Sequence, residues 1–197
     1  MPVDYTKNHD QLLKLLKKYL RGEKFTHSLG VEQTAIKLAK RHGADWKKAG
    51  LAGMLHDITK QMDNAALARQ YGISSVSEKT LHGPVAACWL YENGIVEDEE
   101  VLSAIKYHTT GRADMTLLEK VIYLADFVEP SRDFEGVAQL RELVFADIGQ
   151  GLLEGLEMSL REVLRKKTTI DADTVAAYNC YRLMEARKTG ADELEEE

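Results

Sequence analysis

LAGMLHDITK, residues 51–60, ends an apolar run on the adjacent pair His56-Asp57, with Lys60 one helical turn further on. A helix that buries Leu51, Ala52, Met54 and Leu55 carries these two polar side chains toward the same interior. An unpaired carboxylate is costly there unless a cation or a dense set of donors meets it. Either the pair emerges into water at the helix end, as charged residues usually do, or something inside the fold waits for it. The dipeptide alone does not choose.

Bulk properties narrow the field. A chain of 197 residues, 44% apolar and 29% charged, forms one ordinary globular domain with a large core. The expected domain spans residues 1–190, and the acidic tail ADELEEE (191–197) is too charged to bury and is expected to be disordered. The formal charge of −6 and the scatter of the basic residues argue against a nucleic-acid-binding surface. A negatively charged small substrate remains compatible where metal ions or a local cationic pocket offset that field. Cys88 and Cys180 match no metal-binding or redox spacing and read as packing residues within helices. No apolar run reaches the length of about 18 residues that a membrane span needs. The start, MPVDYTKNHD, lacks the apolar segment of a secretion signal, so a cytoplasmic protein without membrane partners is expected.

Hydrophobic periodicity is helical throughout. Amphipathic helices are expected over about residues 9–21, 24–42, 45–60, 63–71, 97–108 and 116–127. Gly43 reads as a C-terminal stop, Asp63 as an N-cap, and Thr116 with Glu119 as a capping box. Gly50 and Gly53 suit close approach by another backbone or a ligand. The segment GISSVSEKT reads as a loop, and Pro84 as the first position of the next helix, placing His82 at its start. A long amphipathic stretch from Val137 to about Lys166 is expected to break at Gly149-Gln150-Gly151, and Asp173 to cap a last helix. The helix over 9–21 offers an apolar face that could serve a homodimer. The fold class is all-α.

Six histidines occur, and they divide. His27 shares a stripe with Val31, Ala35 and Leu38; His108 shares one with Val101, Ala104 and Ile105; His56 ends an apolar run; and His82 stands at a helix start. Asp126 falls four residues after Ile122 and eight after Leu118, on the core face of its helix. His9 and His42 read as surface residues. One such residue alone would be an ordinary hydrogen-bonded core group; five of them together with Asp57 suggest a metal centre. Imidazole and carboxylate ligands suit Fe, Mn, Co or Zn better than Mg or Ca. Four His and two Asp are too many for a single ion that keeps a water, and match two ions about 3.5–4 Å apart bridged by a carboxylate and a hydroxide. Such a pair hydrolyses phosphoesters or phosphoanhydrides.

The segments FTHSLGV, LHDITK, LHGPVA, KYHTTGR and LADFVEPSRDF, in that order, resemble those of the HD-domain metal-dependent phosphohydrolases. YHTTGR and EPSRDFEGV single out the YqeK-type branch, the symmetrical bis(5'-nucleosyl)-tetraphosphatases of bacteria, over about residues 20–190. The resemblance implies a single HD-domain helical bundle with additional N- and C-terminal helices, a di-metal site often found with iron, and cleavage of diadenosine tetraphosphate into two ADP. It implies that His27, His56, Asp57 and Asp126 hold one ion and that His82 and His108 hold the second, with Asp57 bridging. Lys60 would hold a phosphate or the bridging hydroxide, acting with Asp57 in catalysis. Thr109, Thr110, Arg112 and Arg132 would bind the polyphosphate. One departure stands out: Asp114 occupies a position where a small residue such as Gly is expected, and an aspartate facing the phosphates would repel them. Two other readings share these ligands: another HD nucleotide phosphohydrolase, such as a nucleotidase or deoxynucleoside triphosphate hydrolase, and a nucleotide-binding regulator that no longer turns over.

Overall fold

Aspartates set most of the helix starts. In the computed structural model, which describes residues 4–74 and 77–190, the side chains of Asp4, Asp45, Asp63, Asp98, Asp147 and Asp171 each accept a backbone N–H in the first turn of the helix that follows. Each such cap contributes about 1 kcal/mol. Thr116 and Glu119 form the expected capping box. The described residues form ten helices: α1 Tyr5–Tyr19, α2 Glu23–His42, α3 Trp46–Leu55, α4 Asn64–Tyr71, α5 Glu78–Glu92, α6 Glu99–Tyr107, α7 Leu117–Val128, α8 Val137–Ala146, α9 Ile148–Arg165 and α10 Ala172–Thr189. No strand occurs among the described residues, and none of their helices is long and apolar enough to cross a membrane. The expectations for the acidic tail and for the middle of GISSVSEKT fall outside the described residues.

Five boundaries differ from the sequence reading, each for a local reason. The last helix is capped by Asp171, whose side chain accepts Asp173 N–H, and Asp173 itself lies inside the first turn. α1 starts at Tyr5 because Asp4 caps it. α3 stops at Leu55 with His56 as its C-cap, and the chain goes on in tight turns closed by Ile58 N–H to Leu55 O, Lys60 N–H to Asp57 O and Met62 N–H to Thr59 O. The long stretch after Val137 breaks at Asp147, ahead of the glycines, because Asp147 ends α8 and caps α9. Ser77, not Pro84, starts α5; His82 is therefore inside the helix, with Pro84 two residues further on. An internal proline costs about 3 kcal/mol, which the burial of Val85, Ala86 and Leu90 around it must offset.

The core forms where α2 and α3 lie together and against α7, with α6 beside α3 and α5 beside α6. Leu38, Met54, Leu55, Ile58, Ile105, Leu118, Ile122 and Leu124 are fully buried there, each contributing roughly 1.5–3 kcal/mol of transfer free energy. α2 and α3 meet at Gly53: a Cβ there would fall 3.0 Å from Glu32 Cα and 3.2 Å from Ala35 Cβ. The small residues of α3 thus admit α2, while Gly50 admits the Tyr5 ring. α1 places Leu12 and Leu16, and its C-cap Leu20, in the chain's own core. The result is that the last turn of α3, the end of α6, the C-terminal half of α7 and the first turns of α2 and α5 converge on one place.

Candidate metal centre

Six side chains meet where these helix ends converge. His27 Nε2 lies 2.9 Å from Asp126 Oδ1, and His56 Nε2 lies 3.9 Å from the same oxygen. Asp57 faces both ways: Oδ2 is 3.8 Å from His56 Nε2, while Oδ1 is 3.1 Å from His82 Nε2 and 3.5 Å from His108 Nε2. The Nε2 atoms of His82 and His108 are 3.0 Å apart. Three overlapping groups, His27–His56–Asp57, His56–His108–Asp126 and Asp57–His82–His108, each bring their ligand atoms within 4.8 Å of one another. Every histidine and aspartate singled out in the sequence is therefore at this centre, and one carboxylate spans its two halves.

The chemistry of the donors fits divalent metal ions. His56 and His108 donate their Nδ1–H to the carbonyls of Gly53 (2.8 Å) and Ile105 (2.7 Å), and His27 Nδ1 faces Glu129 Oε1 at 3.0 Å. A proton on Nδ1 leaves the Nε2 lone pair pointing inward, which is the arrangement that metal-ligating histidines adopt. His56 Nε2 and Asp57 Oδ1 are buried without a hydrogen bond of good geometry. Two lone-pair atoms buried this way are expensive, and a cation beside each, in its own half of the centre, removes the cost.

The electrostatics agree. Burial pushes the fully enclosed His56 imidazole down to about 4, against the attraction of Asp57. His82 is also lowered, first by burial. Burial would raise Asp57 and Asp126, yet the surrounding imidazoles hold both well below the usual carboxylate range. Neutral imidazoles and ionised carboxylates are the states that bind metal.

Sequence reasoning missed Glu129. Its carboxylate is 1% exposed, accepts from Ser131 N–H at 2.8 Å and from the Ser131 hydroxyl, and faces His27. Gly30, one turn after His27, makes the space: a Cβ there would lie 2.5 Å from Glu129 Oε2. Arg141 of α8 donates to the carbonyls of Val128 (2.8 Å), Glu129 (2.9 Å) and Arg132 (2.6 Å), fixing the turn that follows α7.

Two cations flank the cluster. Lys60 Nζ is 2.8 Å from His82 Nε2 and 3.4 Å from Asp57 Oδ1. Arg132 donates to the Asp126 carbonyl at 2.8 Å and to Asp126 Oδ1 at 2.5 Å. A cleft of about 960 Å³ opens beside them, lined by His108, Thr109, Asp126 and Arg132 of the cluster and by Phe127 and Phe134. The Thr109 hydroxyl lies 3.0 Å from His108 Nε2. Thr110 and Arg112 are placed differently. Thr110 is buried and donates to Gly111 O, while Arg112 binds buried Glu119 through Nε at 2.9 Å and lies over the Tyr107 ring. Neither of the two lines the cleft. Asp114 has a left-handed backbone, φ 51°, which explains why a glycine suits that position, and its carboxylate accepts from Cys180 Sγ at 3.6 Å; it too is absent from the cleft lining.

The two histidines set aside as surface residues have partners. His42 Nε2 lies 2.7 Å from the carbonyl of Val144, and His9 Nε2 lies 2.8 Å from Oε1 of buried Glu32, which also accepts from Tyr5 Oη. Neither belongs to any of the metal-ligand groups.

A helical fold that gathers these ligands at converging helix ends is the HD domain, and the HD domain model matches residues 25–131. The chain is 39% identical over 179 residues to a bis(5'-nucleosyl)-tetraphosphatase, symmetrical, of Halalkalibacterium halodurans, covering 87% of this chain and 96% of that one. It is 39% identical over 192 residues to the protein of the same name in Staphylococcus aureus, covering 91% and 97%. The crystal structure of a predicted HD superfamily hydrolase involved in NAD metabolism from Clostridium acetobutylicum superposes with a TM-score of 0.83 at 32% identity, over 89% of this chain and 97% of that one. The chain belongs to the HD-domain family and, within it, to the family of the symmetrical bis(5'-nucleosyl)-tetraphosphatases.

Proposed function

We propose that this chain hydrolyses diadenosine tetraphosphate and related dinucleoside polyphosphates at the central anhydride, releasing two ADP. The observation that carries the hydrolytic reading is the position of Asp57, whose two oxygens face His56 on one side and His82 with His108 on the other. What supports the substrate is the name shared by the relatives that span nearly this whole chain.

His27, His56, Asp57 and Asp126 would hold one divalent ion, and His82 and His108, with Asp57 between, a second; the mixed imidazole and carboxylate set suits iron, with Mn, Co and Zn as substitutes. When bound, such ions acidify a water and neutralise charge on the reacting phosphate. The remaining steps belong to side chains. Arg132, in the lining of the cleft, offers a planar guanidinium to phosphate oxygens once it turns from Asp126. Thr109 offers a hydroxyl beside the same cluster, and Lys60 a mobile ammonium at its other flank. Phe127 and Phe134 give the cleft apolar walls against which a purine can lie.

A substrate panel with and without added Fe²⁺ or Mn²⁺ tests this, followed by chromatography of a short digest of diadenosine tetraphosphate. ADP as the sole first product is expected. ATP with AMP would refute the symmetrical assignment, and brisk hydrolysis of mononucleotides without cleavage of the dinucleotide would move the chain to another HD nucleotide phosphohydrolase.

A further inference from the structure

The four histidines of the centre are not supported alike. His56 and His108 donate Nδ1–H to neutral backbone carbonyls. His82 has a cation instead, with Lys60 Nζ 3.3 Å from Nδ1 and 2.8 Å from Nε2. His27 alone of the four presents its Nδ1 to a carboxylate, that of Glu129. An imidazole that donates to a carboxylate is more basic at its other nitrogen than one that donates to an amide carbonyl, and its ring is fixed more firmly. A cation beside an imidazole does the reverse.

The surroundings of Glu129 are built for this contact. Gly30 leaves room for its Oε2 against α2, where a Cβ would lie 2.5 Å from that oxygen. Ser131 donates to both oxygens of the carboxylate, its N–H to Oε2 and its hydroxyl to Oε1, the oxygen that faces His27. Arg141 ties three carbonyls of the same turn to α8, so the turn that carries Glu129 cannot move away from α8 without breaking all three. A glutamate that only capped its own turn through Ser131 would need neither the glycine on α2 nor a histidine within hydrogen-bond reach.

We propose that Glu129 is a positioning residue for His27, and that it makes the ion position served by His27, His56, Asp57 and Asp126 the tighter of the two. The position served by His82 and His108, with Lys60 against it, is the one that empties first. This rests on the di-metal reading above.

The test uses the full-length chain, stripped with a chelator and titrated with Co²⁺ alone, followed by calorimetry and by the visible absorption of the bound ion. The wild type is expected to take up two ions in two steps of unequal affinity. Glu129→Gln, which keeps the shape and removes the charge, is expected to weaken the tighter step about 10–100-fold and to alter its absorption bands. The weaker step stays in place. His82→Ala is expected to delete the weaker step and spare the tighter one. Far-UV circular dichroism of the stripped variants reports folding separately; should Glu129→Gln lose its helical signal, Gly30→Ala, which displaces the carboxylate without removing it, takes its place with the same expected weakening. A folded variant with an unchanged tighter step, or with both steps weakened equally, overturns the proposal while leaving the di-metal reading intact. A wild type that binds no Co²⁺ overturns the di-metal reading itself.

Discussion

Arg132 turns back onto Asp126 and holds it twice, through Nε to the backbone carbonyl at 2.8 Å and through Nη2 to Oδ1 at 2.5 Å. That same oxygen lies 2.9 Å from His27 Nε2. One carboxylate oxygen is thus shared between a histidine proposed as a metal ligand and a side chain that is 40% exposed. The arginine is a hydrogen-bond partner of Asp126 and a candidate phosphate clamp, and the same guanidinium face serves one role at a time.

The expected consequence is a separation of metal binding from catalysis. Arg132→Ala removes a competitor for Asp126 and takes nothing from the ligand set, so bound metal should be equal to or above that of the wild type. Loss of a charge-assisted donor to the reacting phosphate should lower kcat/KM by about 10²-fold. Steady-state kinetics with metal analysis on the same preparations checks both. Normal kinetics would place the guanidinium away from the substrate, and lost metal would make it a structural prop of Asp126.

Asp57 should behave as one unit with both halves of the centre. Asp57→Ala is expected to abolish activity and to lower bound metal at both positions, because its two oxygens face different histidines. His9→Ala and His42→Ala serve as controls: each should keep metal and activity. His9→Ala should still lower stability by about 1 kcal/mol, since buried Glu32 loses one of its donors. Elemental analysis and thermal melts report these separately; full metal in Asp57→Ala would remove it as a bridge.

How much of this was legible in the sequence depends on what each residue does there. His27, His108 and Asp126 were visible because a polar residue on an apolar helical stripe breaks the pattern that hydrophobic burial imposes. Glu32 had the same signature, three residues before Ala35 and four after Ser28, both buried, but a glutamate is so common on helix surfaces that it passes for solvated. Glu119 was read correctly as a cap, and its burial with Arg112 lay outside what local pattern carries. Glu129 gives no periodic sign at all, because it stands at the C-cap of α7, where the pattern ends. Pro84 misled for a related reason: proline is usual at a first helical position, and only the Ser77 cap, one turn and more upstream, reveals that the helix had already begun.

Acid should destabilise the metal-stripped protein before its carboxylates titrate. His56 is held at about 4 by burial, below its ordinary 6.5, so the unfolded chain binds a proton over that interval that the folded chain refuses. Stability from this group is present above about 6.5 and is lost as pH falls toward about 4. His82 is lowered and acts in the same direction. His27 opposes them: burial would lower it, but Asp126 and Glu129 raise it, so its contribution is full below 6.5 and is lost as pH rises through its folded value. Asp57 and Asp126, both depressed, add a loss below about 3.8. A Tm that falls between about pH 6.5 and pH 4 is expected, with a shallower slope in His56→Gln. A flat wild-type profile would contradict the buried neutral imidazole.

Lys60 carries the last prediction, and its signs are opposed. Its ammonium stands 2.8 Å from the Nε2 of His82 and 3.4 Å from Oδ1 of Asp57, the atoms a second ion would need, and its side chain is 32% exposed, so it has room to leave. An ion entering there would repel the ammonium toward solvent and the substrate, converting a resident counter-ion into a phosphate ligand. Removing the charge should therefore help the metal and harm the reaction. Lys60→Met, similar in length and uncharged, is expected to bind the second ion more tightly and to lower kcat by about 10²-fold, with the first ion unchanged. A lysine that merely neutralised Asp57 would give a different pair of results: tighter metal with normal kcat. A lysine that shaped the site would give weaker metal with low kcat. Metal titration beside steady-state kinetics on this one variant distinguishes the three, and only the combination of tighter metal with slower turnover supports a side chain that serves the phosphate.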